Sequence, residues 1–433
     1  MNTVVQRLTS NKYYIKSAAL GKLAFITGSI QSIISALSLL SGVLIIRLLP
    51  TKEYALYTLI NTTLGTMLIL ADGGITTGVL AQGGQVWQSK EKLGLVIATG
   101  LDLRKKFAIG SLLLATPTLL YLLRLHGASW LMSGLLILAL VPAFITSLSD
   151  GLLQVAPKLK QDITSVQKNE LGANVGRLII VVLVLFTFPL AFMIILAAGI
   201  PQIWVNLRLR KISAGYAEIN QYPDPAIRKE ILTFVKRILP YSIYYCVSSQ
   251  TTIWLISVFG NTTSLAQVGA LGRLTMVLSI FTTVFGMVIT PRFARLEKNS
   301  KDMLRKFLAI QALLFAFSAC VVGIVYLFPT QILWVLGKGY AGLRTELLLS
   351  VISSCGALIA GISYSLYTSR GWAIKPLIAI SINIATTILA AVVLNIKTLR
   401  GVLFLGISIE VVQIVMNILF AVIKIKRTLK NNQ

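Results

Sequence analysis

Hydrophobic residues gather along this chain into twelve runs, separated by short segments that contain proline, glycine or charged residues. A helix needs roughly 20 apolar residues to cross a bilayer, because every backbone polar group in the hydrocarbon core must be hydrogen-bonded within the protein. The runs therefore predict an all-α integral membrane protein of about 12 transmembrane helices. The predicted helices lie near 24–46, 54–80, 107–124, 130–156, 171–188, 190–206, 238–259, 265–290, 307–327, 344–369, 374–395 and 401–423.

The longest polar connection, 207–237, divides the predicted helices into two sets of six. The second set repeats the first, since the turn at Pro50 overlays on the turn at Gly260 and the first helix overlays on the seventh. An even number of helices in each set makes the two copies parallel, which is a known arrangement of transporters. We predict two pseudo-symmetric six-helix bundles, 1–210 and 211–433.

Polar residues recur at steps of three and four in the first, second, seventh and eighth predicted helices, so that each set lies on one helix face. The stripes of the first and seventh helices are Gln31, Ser35, Ser38 and Ser41, and Ser242, Cys246, Ser249 and Thr252. Such stripes are either packing seams between membrane helices or the lining of a shared cavity, and their repetition in both halves favours the cavity. Asn61 and Tyr245 add further hydrogen-bonding groups on these helices.

The charge pattern predicts the orientation of the chain. Placing both termini in the cytoplasm puts most of the 40 Lys and Arg residues on the cytoplasmic side, as the positive-inside rule requires. The formal net charge of +26 is explained by this distribution, and a nucleic-acid partner is not needed for it.

Charged residues inside the apolar runs are functional candidates, because each costs about 2.5 to 3.5 kcal/mol at a helix centre. Arg47, at the outer end of the first helix, either snorkels to the interface or contacts a substrate. Arg273 lies deeper, in the eighth helix, and is a candidate for the cavity. Asp150 and Arg177 are predicted at similar depth in consecutive helices, and we interpret them as a structural ion pair.

Two further carboxylates interrupt the runs. Asp72 precedes a glycine pair in the second helix, and it is a candidate for coupling or gating, with a structural helix break as the alternative. Glu410, in the middle of the twelfth helix, is the second candidate for coupling or gating.

Several enzyme motifs are missing from the sequence. It has no Asp-Asp or Asp-x-Asp pair to hold magnesium on a diphosphate, and its single histidine, His126, is interpreted as an outer-loop residue. No phosphate-binding or dinucleotide-binding glycine motif is present. We predict a protein that is not an enzyme and that needs no cofactor or bound metal. A membrane polysaccharide polymerase or glycosyltransferase is the enzymatic alternative.

The segment RLLPTKEYALYTL, followed by LILADGGI, resembles the signature of the bacterial polysaccharide flippases. These form the O-antigen and exopolysaccharide branch of the multidrug/oligosaccharidyl-lipid/polysaccharide flippase superfamily. The residues that match the pattern are Arg47, Tyr54, Tyr57, Asp72 and Gly74, whereas the usual glycine before the proline is absent. Later segments, SLAQVGALGRL, VITPRFARLEKN and FPTQILWVLGKGYAGLRTELLL, are also similar to the family. The seventh helix reads SQTTIWLIS where family members often carry an Asp-Arg pair, so no role of that pair carries over.

The resemblance implies a flippase that moves an oligosaccharide repeat unit, joined through diphosphate to a polyprenol, across the bacterial inner membrane. It implies membrane lipids, a polysaccharide polymerase and a chain-length regulator as further partners. Guanidinium groups bind diphosphates well, and polar side chains bind sugars. The expected substrate-binding residues are Arg47, Asn61, Arg273, Tyr245 and Ser249. A cation-coupled multidrug exporter, with Asp72 as its central residue, is the alternative transporter.

Overall fold

The computed structural model describes residues 12–160, 162–294, 301–370, 372 and 374–430. At 12–28, at 428–430 and at some positions between 237 and 302 it describes the backbone alone. Within these ranges the regular elements are all helices, which confirms the predicted fold class.

The helices divide into two consecutive sets. Those of the first half are α1 (Lys12–Leu48), α2 (Thr51–Asp72), α3 (Ile75–Val86), α4 (Lys90–Leu125), α5 (Trp130–Leu153), α6 (Val155–Leu159), α7 (Ile163–Thr187) and α8 (Ala191–Tyr216). Those of the second half are α9 (Pro225–Phe259), α10 (Thr262–Thr275), α11 (Val277–Ala294), α12 (Lys301–Leu327), α13 (Pro329–Trp334), α14 (Arg344–Thr368), α15 (Pro376–Val393) and α16 (Leu399–Lys430).

The length and composition of these helices fit a multi-pass membrane protein. Eleven helices of the described ranges are long and apolar enough to span a bilayer, and Gln250–Phe259 of α9 is a shorter apolar segment. Each of the twelve predicted runs is helical, although three of them, 54–80, 130–156 and 265–290, each extend over two consecutive helices. Following the predicted topology, we call the end of the molecule that holds the α1–α2 and α4–α5 turns the outer end, and the opposite end the inner end.

The second predicted transmembrane helix is broken into α2 and α3. Gly73 and Gly74 both have positive φ angles, 49° and 96°, a conformation that glycine adopts without steric cost. The Asp72 carboxylate accepts hydrogen bonds from the backbone N–H groups of Gly74, at 3.3 Å, and Thr76, at 3.2 Å. The Asp72 carboxylate therefore pairs backbone N–H groups at the start of α3 that have no carbonyl partner within that helix.

The segment between the two halves packs on the inner end of the first half. Its Glu218 N–H donates to the Lys90 carbonyl at 3.1 Å. The contact is close, since a Cβ on Gly94 would lie 2.1 Å from the Glu218 carbonyl oxygen. Ile231 and Val235, in the first turns of α9, are buried in a cluster with apolar residues of α3, α4 and α5. The inner part of α9 thus belongs by its packing to the first half.

Candidate functional site

A cavity of about 490 Å³ lies between the two halves of the chain. The wall from the first half is α2, which contributes Tyr54, Thr58, Asn61 and Thr62. The other walls are α9, α10, α14 and α16, whose polar contributions are Gln250, Thr252, Arg273, Ser350, Ser353 and Ser354. Among the described residues that line this central cavity, Arg273 is the one charged side chain. The cavity therefore presents hydroxyl and amide groups around a guanidinium.

Arg273 reaches from the second half toward the first. A Cβ on Gly42 of α1 would lie 3.3 Å from the Arg273 Cδ, so the stem of the arginine crosses α1 where that helix has no side chain. Beside it, α10 approaches α2 closely, because a Cβ on Gly269 would lie 2.5 Å from the Thr58 Oγ1. The two halves are in direct contact along this side of the cavity, which fixes Arg273 at their junction.

Arg47 does not line the central cavity. Its Nε donates to the Val335 carbonyl at 2.7 Å, and its Nη2 donates to the Trp334 carbonyl. Its guanidinium carbon lies 4.6 Å from the centroid of the Trp334 ring, a cation–π contact. Arg47 belongs to α1, whereas Trp334 is the last residue of α13 and Val335 follows it, so this contact joins the two halves at the outer end.

His126 makes a second contact between the halves at the same end. Its ring is only 5% exposed, although the sequence suggested a loop residue. Nε2 lies 3.0 Å from both the carbonyl and the hydroxyl oxygen of Ser257, and Nδ1 lies 3.2 Å from the Thr262 Oγ1. Burial lowers the pKa of His126, while the bond to the Ser257 carbonyl partly opposes this shift. With Arg47, His126 joins the two halves at the outer end of the molecule.

The structure gives Asp72 a capping role near the inner end, away from the lining of the central cavity. Arg104 of α4 pairs with it, at 3.2 Å between Nη2 and Oδ1, and the Thr76 hydroxyl donates to the same oxygen. The guanidinium of Arg104 is largely buried, with a side-chain exposure of 9%. The helix break is thus held by an ion pair, and a coupling or gating role for Asp72 stays a prediction.

The predicted ion pair between Asp150 and Arg177 is not formed. The Asp150 carboxylate instead accepts hydrogen bonds from the side-chain amides of Gln202 and Asn206 on α8, both at 2.5 Å. Asp150 is three residues, or about 5 Å, from the inner end of α5, whereas Arg177 is about 21 Å along α7. The pairing was wrong because α5 and α7 each pack on α8 rather than closely on each other, and because the two residues differ in depth.

Arg177 lies against α2 instead. Its Nη2 donates to the hydroxyl of Tyr57 at 3.3 Å, and its buried Nε has no hydrogen-bond partner. No carboxylate of the described residues lies within ion-pair distance of it. A partly buried guanidinium in the middle of a spanning helix is therefore left without a counter-charge.

Glu410 lies in a different cavity, inside the second half. This second cavity has a volume of about 300 Å³, and α12, α14 and α16 surround it with mostly apolar side chains. Glu410 is the one carboxylate among the described residues that line it. Gly356 leaves the space that Glu410 occupies, since a Cβ there would lie 2.8 Å from the Glu410 Cβ. Its role in coupling or gating stays a prediction.

Of the expected substrate-binding residues, Asn61 and Arg273 lie on the central cavity. The side chains of Tyr245 and Ser249 lie outside the described residues. Three serines of α14 that also line the cavity were not among the predicted site residues, Ser350, Ser353 and Ser354. Their spacing of three and four residues is itself the signal of a polar helix face.

The sequence matches no protein-family model and no curated protein sequence. Solved structures do match its fold. An inward-facing multidrug resistance MATE family transporter of the MOP superfamily has a TM-score of 0.68 at 15% identity, over 92% of this chain and 96% of that one. The lipid II flippase MurJ, in an inward closed conformation, has a TM-score of 0.71 at 13% identity, over 94% and 90%. The eukaryotic MATE transporter AtDTX14 has a TM-score of 0.63 at 16% identity, over 96% and 99%.

The chain therefore has the fold that MATE transporters and the MurJ flippase share. Because the likeness extends over nearly the whole of each chain, it applies to both halves and to the junction between them.

Proposed function

We propose that this protein is a flippase that moves polyprenyl-diphosphate-linked oligosaccharide repeat units across the bacterial cytoplasmic membrane, for surface polysaccharide biosynthesis. The substrate enters from the inner leaflet with both termini of the protein in the cytoplasm. It leaves at the outer leaflet, where a polymerase and a chain-length regulator would act on it.

The observation that carries this proposal is the chemistry of the central cavity. Its described lining holds one charged residue, Arg273, and no carboxylate. A guanidinium binds the oxygens of a diphosphate in a fork, and it does so more strongly in a membrane interior than in water. The amide of Asn61 and the hydroxyls of α14 are suitable partners for sugars.

The arrangement of the halves supports alternating access. The central cavity lies at their junction, and the contacts of Arg47 and His126 hold the two halves together at the outer end. Opening that end while closing the other would present the same cavity to each side of the membrane in turn. With the cell interior negative, moving an anion outward is favoured by about 2.3 kcal/mol per charge per 100 mV.

A cation-coupled multidrug exporter is the second candidate, and the fold shared with MATE transporters favours it. A cationic substrate needs a negative site, however, and the described lining of the central cavity supplies a positive one. The carboxylate of Glu410 lies in the second cavity instead. The charge of the central cavity therefore favours the flippase.

The test is a flipping assay in proteoliposomes with a fluorescent polyprenyl-diphosphate oligosaccharide. A membrane-impermeant reductant quenches the dye in the outer leaflet, so flipping appears as additional quenching. We expect the wild-type protein to flip the lipid, Arg273→Ala to abolish flipping, and Arg273→Lys to retain part of it, because lysine keeps the charge and loses the fork.

Arg124→Ala is the matched control, since Arg124 stacks on Trp130 within the first half and away from the cavity. A wild-type protein that leaves this lipid in place but transports a lipophilic cation would establish the exporter instead.

A further inference from the structure

Arg177 is a partly buried arginine of the first half that the proposed function has not used. It lies in the middle of α7, with its Nε buried and unpaired and with Tyr57 as its hydrogen-bond partner. Removing a guanidinium from water without a counter-charge costs several kcal/mol. A neutral donor would hold the Tyr57 hydroxyl equally well, so the contact between α2 and α7 does not by itself require a charged residue at this position.

Tyr57 connects Arg177 to the central cavity. Its ring is buried on α2, one helical turn before Asn61, which lines the cavity. The Asn61 Nδ2 donates to the Tyr57 carbonyl at 2.8 Å, and its side chain also interacts with the Tyr57 hydroxyl. Arg177, Tyr57 and Asn61 therefore form a continuous row of polar contacts that ends at the wall of the cavity.

The same tyrosine lies in the field of both unpaired arginines. Arg177, from the first half, and Arg273, from the second, each act electrostatically on the Tyr57 hydroxyl. Neither guanidinium has a carboxylate within ion-pair distance among the described residues. Because charges in a dry interior interact over longer distances than in water, Arg177 adds positive potential to the cavity from behind its wall.

We propose that Arg177 is a positioning residue of the anion site, which acts through Tyr57 and Asn61. A diphosphate in the cavity then lies between Arg273 of the second half and the row Arg177–Tyr57–Asn61 of the first. This inference rests on the proposed function, and it assigns the first half a share in holding the diphosphate. It also gives the uncompensated charge of Arg177 its counter-charge, which is the substrate.

The experiment measures binding of farnesyl diphosphate to the full chain purified in detergent, with farnesol as the uncharged reference probe. The variants are Arg177→Gln, Arg177→Lys, Tyr57→Phe and the double variant Arg177→Gln/Tyr57→Phe. We expect Arg177→Gln to weaken the binding of farnesyl diphosphate roughly tenfold, without a change in the binding of farnesol. Arg177→Lys restores most of this loss, because it keeps the charge.

If Arg177 acts through Tyr57, Tyr57→Phe weakens binding as well, and the double variant is weaker by less than the product of the two single effects. A tie between α2 and α7 that serves stability alone would lower the melting temperature of all these variants but leave the affinity ratio of the two probes unchanged. That result overturns the inference. Where Arg177→Gln does not fold, Tyr57→Phe decides by the same ratio, since a structural tie leaves that ratio unchanged and the proposed role lowers it.

Failure of the inference and failure of the proposed function give different results. If the wild-type protein binds farnesyl diphosphate no better than farnesol, the proposed anion site is absent and both proposals are wrong. If the wild type prefers the diphosphate, and Arg273→Gln abolishes the preference while Arg177→Gln keeps it, the site stands and the role of Arg177 is wrong.

Discussion

Arg47 of the first half lies over the ring of Trp334 of the second, with 4.6 Å between the guanidinium carbon and the ring centroid. The same guanidinium donates to two successive carbonyls at the end of α13. These bonds place a charged donor on carbonyls at the end of the short helix, where the Trp334 carbonyl also accepts from the Gly337 N–H. Arg47 therefore stabilises the closed form, in which the two halves are in contact at the outer end.

We expect Arg47→Ala to shift the protein toward a form with an open outer end, by about 2 kcal/mol from the lost cation–π contact and charged hydrogen bonds. Spin labels at the exposed outer positions Lys52 and Tyr326, in a cysteine-free background, report the separation of the two halves. The variant should add a population of longer distances. Arg208→Ala removes an arginine–tryptophan contact of 5.4 Å within α8, away from the outer end, and the distances should stay unchanged in it.

Acidification is expected to open the same end through His126. Burial lowers the pKa of His126 in the closed form, so the closed form binds the proton less well than a form in which the ring is exposed. The contribution of the neutral ring is fully present above the ordinary histidine pKa of about 6.5, and it is lost as the pH falls below that value. The same pair of spin labels, followed from neutral to acidic pH, should show longer distances at acidic pH. His126→Asn should lose this dependence, and an unchanged pH response in that variant would exclude the histidine as its source.

The contact between Gly94 and Glu218 predicts a stability effect. A methyl group on Gly94 would collide with the Glu218 carbonyl oxygen, which a Cβ would approach to 2.1 Å. We expect Gly94→Ala to destabilise the protein by about 1 to 3 kcal/mol, measured as a lower melting temperature in detergent. Gly110→Ala, in the same helix with no atom within 4 Å of its Cβ, is the control. It should be neutral or slightly stabilising, because alanine favours helix more than glycine does. Equal effects of the two substitutions would show that the segment after α8 does not pack as described.

Substitutions at Asp72 and Arg104 are expected to change stability as those at a buried ion pair do. Removing one partner leaves the other charge uncompensated, so Arg104→Met and Asp72→Asn should each cost about 3 kcal/mol of stability. The double variant should recover much of this loss, since both charges are then absent. Flipping by the double variant separates the two interpretations of Asp72. Normal flipping would leave Asp72 a structural cap, whereas a folded but inactive double variant would support coupling or gating.

The membrane-spanning helices were predictable because an apolar run of sufficient length has one structural solution in a bilayer. The full length of these helices was not predictable. α4 begins at Lys90 and α9 at Pro225, well before the apolar runs that predicted them, because their inner turns are polar on one side and lie outside the hydrocarbon region. The break between α2 and α3 was visible as a glycine pair, but the sequence alone left its structural and functional interpretations open.

The candidate site was predictable where one helix face carries it, as with Asn61 and Arg273, since helical periodicity places such residues. It was not predictable where distant segments meet. The partners of Arg47 and His126 lie in the other half of the chain, and no local pattern indicates them. The Asp150–Arg177 pairing failed for the related reason that consecutive helices need not be neighbours in a bundle.

The inner part of α9, which packs on the first half, determines when the first half can complete its fold during synthesis. The apolar surface that α3, α4 and α5 present at the inner end stays uncovered until Ile231 and Val235 have left the ribosome. The first repeat therefore completes its fold only after synthesis of the second has begun. If the chain were divided at Pro240, which lies inside α9, the first fragment would keep Ile231 and Val235, which pack on its own helices. A chain divided at 210 would leave the first fragment without part of its own core.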